Sequence, residues 1–174
     1  MEIHERIEKF DKALGKYVSN SFRTWLIDEG FFTAPASTKY HGSKPGGLFE
    51  HSLLMMNVLL KLSIDNKVKW EREASPFIVG MFHDLCKIDQ YKQDAEGGYT
   101  FDEETLFCGH GDKSIILLAS HMILTPEELA CIRYHMGAYT DKKEWGYYSR
   151  AVEKYPTVLW THTADMIASQ VIGG

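Results

Sequence analysis

Residues 77–87 read Phe-Ile-Val-Gly-Met-Phe-His-Asp-Leu-Cys-Lys and set His83 beside Asp84 in a strongly apolar stretch. Ser75 as N-cap, Pro76 at the first helical position, and the spacing of Phe77, Ile78, Met81, Phe82 and Leu85 predict one helix through Lys87. Asp84 lies three residues after Met81 and seven after Phe77, so its carboxylate points to the core side. An unpaired carboxylate buried there is strongly destabilising. A metal ion is the most direct partner for an adjacent His and Asp; a helix end with both groups in water is the other reading. Lys87 is placed to pair with Asp84, to contact a substrate phosphate, or to act as a favourable cation at a helix C-terminus.

Other side chains of the same chemistry recur along the chain. His51 opens a stripe continued by Leu54, Met55, Val58, Leu59 and Leu62, so it sits at the inner edge of a core-facing helix near its start. His110 stands between two glycines at the mouth of a helix over 112–122. His135 follows Ile132 by three residues just before Gly137, and so looks inward. Asp165 shares a face with Val158, Leu159, His162 and Met166 and has no Lys or Arg three or four residues away. Packing against backbone is the bland alternative for a lone inward histidine.

The elements that must position these groups are helical. Apolar spacing predicts one long or two consecutive helices over 3–29, then helices over 48–62, 75–87, 112–122, from Thr125 (capping box with Glu128) to His135, and over 156–171. Residues 91–102, with Gly97-Gly98 at the turn, predict a small β-hairpin excursion. Residues 137–150 read as an aromatic, charged loop. Residues 30–48 are Gly- and Pro-rich and carry Lys39, Tyr40, His41 and Lys44, which suits either a phosphate-approaching loop or a flexible surface loop.

The 174 residues suffice for one domain, with about 34–169 as its core and 3–29 as an N-terminal helical region. The net charge of −5 argues against non-specific binding to long nucleic acid. Three cysteines without paired spacing point to reduced thiols in the cytoplasm. No apolar run reaches about 18 residues, and the N-terminus lacks the order of a secretory signal, so no membrane partner is expected.

Six inward groups, His51, His83, Asp84, His110, His135 and Asp165, are too many for one catalytic ion and fit two metals bridged by Asp84. Imidazole and carboxylate without thiolate suit Mn, Fe, Co or Ni, with Mg or Zn also admitted. The order His, His-Asp, His, His, Asp on an all-α chain resembles the HD superfamily of metal-dependent phosphohydrolases. Pro-Ala-Ser-Thr-Lys-Tyr-His-Gly-Ser-Lys-Pro-Gly-Gly-Leu-Phe-Glu-His-Ser, His-Asp-Leu-Cys-Lys, Gly-His, Tyr-His-Met-Gly and His-Thr-Ala-Asp-Met-Ile-Ala resemble the HD domain of its 3′–5′ exoribonuclease branch over about 34–169. That resemblance implies an HD-domain helical bundle in which His51, His83, Asp84 and Asp165 hold one metal. Asp84 bridges to a second held by His110 and His135, Lys87 touches substrate or Asp84, and His162 supports the ligands. Two adjacent histidines often stand in such branches where this chain has His135-Met136, so the second metal is expected to be held more openly.

The expected activity is hydrolysis of a phosphomonoester or phosphodiester of a nucleotide or short oligonucleotide by a metal-bridging hydroxide. Asp84 and Lys87 are the catalytic candidates, and Lys39, His41, Lys44, Lys87 and Arg150 the substrate-binding ones. The Gly-Tyr-Pro signature of cyclic-di-GMP phosphodiesterases and the preceding nucleic-acid-binding domain of the exoribonucleases are absent from the sequence. Two other classes use the same residues: a di-iron oxygenase of the HD fold, and a non-catalytic metal- or nucleotide-binding module.

Overall fold

A computed structural model describes residues 1–39 and 42–173. Its described residues form an all-α bundle with one small antiparallel hairpin. The helices are α1 (Ile3–Leu14), α2 (Asn20–Asp28), α3 (Gly47–Asp65), α4 (Ser75–Phe82), α5 (His110–Ala119), α6 (Pro126–Arg133), α7 (Trp145–Lys154) and α8 (Thr157–Met166). Strands β1 (Tyr91–Gln93) and β2 (Tyr99–Phe101) pair in the register Tyr91–Phe101, as the alternation around Gly97-Gly98 requires.

The N-terminal helices belong to the same core as the site. Phe10 of α1 and Phe22 of α2 meet Phe82 of α4 at ring separations of 6.2 and 5.3 Å, and Phe31, Phe32 and Phe49 complete the aromatic cluster. These rings are the largest fully buried side chains of the fold. The buried Arg6 fastens α1 to the chain before α3, donating to the carbonyls of Phe32 and Pro45 at 3.0 Å each.

Helix α3 is the central element and packs most extensively on α4 and then on α8. By length and composition it is apolar enough to cross a membrane. Here its apolar residues Leu48, Phe49, Met55, Met56 and Leu59 are core residues, and Glu50 and Lys61 interrupt it.

The expected single helix through Lys87 is two pieces. Helix α4 has Ala74 rather than Ser75 at its N-cap and ends at Phe82; a separate 3₁₀ turn spans Leu85–Ile88. The Ser75 hydroxyl instead donates to Glu128 Oε1 at 2.9 Å. The break between the pieces has a tertiary cause: the Cys86 amide donates to Ser114 Oγ of α5 at 3.0 Å instead of continuing the helix ladder. Asp84, at φ −106° and ψ 22°, takes the sparsely populated bridge conformation that re-aims its side chain.

Other boundaries moved for local reasons. Helix α5 begins at His110 rather than Asp112, because Gly109 at φ 81° and ψ 142° supplies a turn unfavourable to residues with a Cβ. The expected loop over 137–150 contains 3₁₀ turns and most of α7; Tyr148, Ala151 and Val152 pack on the core at helical spacing. The last helix changes to a π turn over Ile167–Ile172. The capping box forms as read, with the Thr125 amide donating to Glu128 Oε2 at 2.9 Å and the Glu128 amide to Thr125 Oγ1 at 3.2 Å. Glu128 is fully buried and also accepts both Nε and Nη2 of Arg72 at 2.8 Å, so the cap ties the start of α6 to the chain entering α4.

Gly80 sets the spacing of α3 and α4. A Cβ there would lie 2.6 Å from Met56 Cα and 2.8 Å from Met56 Cβ. Gly80→Ala is expected to destabilise the protein by about 1–3 kcal/mol, the overpacking cost exceeding the helix-propensity gain of roughly 1 kcal/mol. Urea unfolding monitored by circular dichroism measures it; a variant as stable as the parent would remove the close helix approach from the account.

Candidate metal centre

Most of the six expected ligands sit at helix ends. His51 lies in the second turn of α3, His83 caps the C-terminal end of α4, Asp84 follows it, His110 opens α5, His135 follows α6, and Asp165 lies near the end of α8. Helix ends are well suited to this role because the packed rods fix positions while the terminal residues can turn their side chains inward.

The structure brings all six together around Asp84, which is only 4% exposed. His51 Nε2 lies 3.2 Å from His83 Nε2 and 3.2 Å from Asp165 Oδ1, while His83 Nε2 lies 3.7 Å from Asp165 Oδ1. Asp84 Oδ2 faces this group, at 3.5 Å from His83 Nε2 and 3.8 Å from His51 Nε2. Its other oxygen, Oδ1, faces a second group, at 3.4 Å from His135 Nε2 and 3.9 Å from His110 Nδ1.

Backbone contacts settle which ring nitrogens look inward. His83 Nδ1–H donates to Gly80 O at 3.0 Å, and His135 Nδ1–H donates to Ile132 O at 2.8 Å. In its neutral form each ring turns an Nε2 lone pair towards carboxylate. His135 Nε2 is fully buried and makes no hydrogen bond, its approach to Asp84 being long. Lone pairs pointed at carboxylate oxygens repel unless a proton or a cation lies between them. Nitrogen and oxygen donors held about 2.0–2.1 Å from one tetrahedral ion lie roughly 3.3 Å apart, close to the separations in the first group. The donor set therefore fits a metal.

The electrostatics agree. Burial lowers the His83 pKa to about 4, which keeps it a neutral donor. Burial lowers His110 as well. Burial opposes ionisation of both carboxylates, but Lys87 with His83 and His135 holds Asp84 well below the usual carboxylate range. The bond to His51 and the charge near His83 likewise bring Asp165 to about 2. Burial works against a charge on His135, yet Asp84 outweighs it and raises that histidine. The pull that favours a proton on His135 favours a metal for the same reason. Lys87 Nζ meets Asp84 Oδ2 at 2.7 Å, so Lys87 is a partner of Asp84 rather than a bare helix-end cation.

His51, Asp84, Lys87, His110 and Asp165 line a cavity of about 800 Å³, with Tyr91, Met136, Tyr139, His162 and Met166 among its other walls; His83 and His135 lie fully buried behind them. His162 Nδ1–H donates to His135 O at 2.9 Å and so steadies the turn that carries that ligand. The loop cations expected to bind substrate are elsewhere. Lys44 Nζ is paired with Glu50 Oε2 at 2.8 Å, and Glu50 also meets Arg6 and is not a cavity wall. Lys39 is exposed and outside the cavity walls, and the Arg150 guanidinium lies over the Tyr147 ring at 4.7 Å. His41 lies outside the described residues. Among the described lining residues Lys87 is the only Lys or Arg.

One donor was missed. Cys86 Sγ lies 3.5 Å from His110 Nδ1 and joins Asp84 and His110 in a group capable of holding an ion, so the donors are not free of sulfur. Its place two residues after Asp84 was the available signal in the sequence. Fold and site together define an all-α bundle with two His/Asp donor groups sharing one carboxylate. No protein-family model, no curated protein and no solved structure matches the chain.

Two outcomes follow from burial. Asp84→Ala leaves the largely buried Lys87 ammonium without its carboxylate and is expected to lower stability by about 3–5 kcal/mol, read from denaturant midpoints; an unchanged midpoint would show that Lys87 moves to solvent at no cost. Burial pushes the Cys86 and Cys131 thiols up to about 12, whereas Cys108 is exposed. A disulfide reagent is expected to titrate one thiol in the native metal-free protein and all three after unfolding; rapid native reaction of more than one would contradict the buried placement.

Proposed function

We propose that this chain is a two-metal phosphohydrolase acting on a small phosphomonoester or phosphodiester, of the size of a nucleotide or short oligonucleotide. The observation that carries the reading is the placement of Asp84, whose two oxygens face two separate groups of imidazole donors. His51, His83 and Asp165 would hold one ion, His110 and His135 the other, and Asp84 would be common to both. The motif order that resembles the HD phosphohydrolases supports the same assignment.

Charge also supports it. Within the cavity Asp84 and Asp165 contribute two negative charges, and among the described walls Lys87 alone offsets them. Such a pocket repels a phosphate. Two divalent ions would reverse the sign, polarise the phosphoryl oxygens and activate a water for in-line attack. Lys87 remains beside Asp84 to meet a non-bridging phosphate oxygen. Tyr91 and Tyr139 offer aromatic surface to a base, and about 800 Å³ accommodates a ligand of that size. The net charge of −5 favours a small substrate over long nucleic acid.

Protein purified without chelator is assayed for metal by elemental analysis and for phosphate release on a panel of nucleotide mono- and diesters with Mn, Fe, Co, Ni, Mg or Zn. About two transition metals per chain and metal-dependent turnover are expected. Lys87→Ala is expected to keep the metal and lose roughly 100-fold or more in kcat. Metal content of zero after reconstitution would overturn the reading. Oxygen uptake with an organic substrate, without phosphate release, would replace it with an oxygenase.

A further inference from the structure

We propose that Cys86 is a thiolate ligand in the His110–His135 half of the centre, so that this half takes a metal with affinity for sulfur, such as Zn, Co or Fe, ahead of Mg or Mn. The inference rests on the two-metal reading and goes beyond its imidazole and carboxylate ligands.

The geometry is set by α5. Cys86 is fully buried, and its amide is held by Ser114 Oγ at 3.0 Å. Ser114 lies one helical turn along α5 from His110, so one rod positions both the sulfur and the imidazole. The result is a Cys86 Sγ to His110 Nδ1 separation of 3.5 Å. A sulfur at about 2.3 Å and an imidazole nitrogen at about 2.0 Å from a common tetrahedral ion lie roughly 3.5 Å apart. Asp84 contributes a carboxylate oxygen to the same cluster. On its far side the fully buried His135 Nε2, which has no hydrogen bond, points at Asp84 Oδ1. Sulfur, an imidazole nitrogen and a carboxylate oxygen therefore converge from the turn after α4 and the start of α5, while His135 approaches the same carboxylate from the end of α6.

A thiol donating a hydrogen bond to His110 also satisfies a 3.5 Å contact, and the two arrangements differ in chemistry. As a ligand, Cys86 loses its proton to solvent when the metal binds, and its sulfur lone pair forms the bond. A thiolate donor also shifts metal preference, since soft sulfur selects Zn, Co and Fe over the harder Mg and Mn.

Cobalt(II) titration of the metal-free protein tests this, with absorbance and metal stoichiometry as readouts independent of turnover. Expected are about two cobalt ions per chain and a near-ultraviolet thiolate-to-cobalt charge-transfer band. The band should persist in Cys108→Ser and vanish in Cys86→Ser, in which the second cobalt should bind at least roughly tenfold more weakly while the visible bands of the other half remain. Should Cys86→Ser fail to fold by circular dichroism, the Cys108→Ser/Cys131→Ser double variant retains Cys86 as its single thiol and must still show the band. Cobalt binding with visible bands but no charge-transfer band in the parent overturns the thiolate assignment and leaves the two-metal reading standing. A band that survives Cys86→Ser also overturns the assignment. No cobalt binding by the parent overturns both.

Discussion

One buried carboxylate governs the centre of this molecule. Asp84 sits among helices whose packed faces are apolar, where an unbalanced charge is strongly disfavoured. The Lys87 ammonium at 2.7 Å and the imidazoles of His83 and His135 answer that charge, and on either side lies a donor group able to hold a cation. The helix break between α4 and the 3₁₀ turn belongs to the same constraint. A continuous helix would keep the Cys86 amide in its ladder. The bond to Ser114 takes it out of that ladder, and Asp84, in the bridge conformation just before it, faces a different group with each oxygen.

The bundle makes that arrangement rigid. The cluster of phenylalanines from α1, α2, the following turn, α3 and α4 locks the N-terminal helices onto the element that ends at His83. Arg6 and Glu128 act as polar fasteners at two separate places, each joining segments far apart in the chain. Ligands mounted on the ends of rods held in this way need little reorganisation on binding an ion. Backbone bonds to the Nδ1 atoms of His83 and His135 add a second restraint by fixing which nitrogen faces inward.

The cavity's charge ties structure to chemistry. Loop lysines and an arginine suggested a basic substrate site, but Lys44 is engaged by Glu50, and Lys39 and Arg150 lie outside the described walls. That leaves Lys87 among the described lining residues, already committed to Asp84. An anionic ligand in such a pocket would depend on charge brought by ions, which is why the proposed function joins metal and substrate at the same carboxylate.

The sequence by itself determined the helical class, the hairpin, the Thr125–Glu128 capping box and the inward direction of His51, His83, Asp84, His110, His135 and Asp165. Those properties follow from spacing along one element: a period near 3.6 residues assigns a face, and a Gly pair between alternating residues assigns a turn. Only the tertiary structure decided the rest. The break after Phe82 depends on a hydroxyl 28 residues away, supplied by Ser114. The removal of Lys44 from the site depends on which face of α3 carries Glu50, and helix α7 was obscured because its apolar residues alternate with charged and aromatic ones in a stretch that reads as loop. The closeness of Cys86 to His110 depends on how α5 packs on the turn after α4. Spacing along one segment carries no information about the distance between two segments, and the chemistry of this centre is set by those distances.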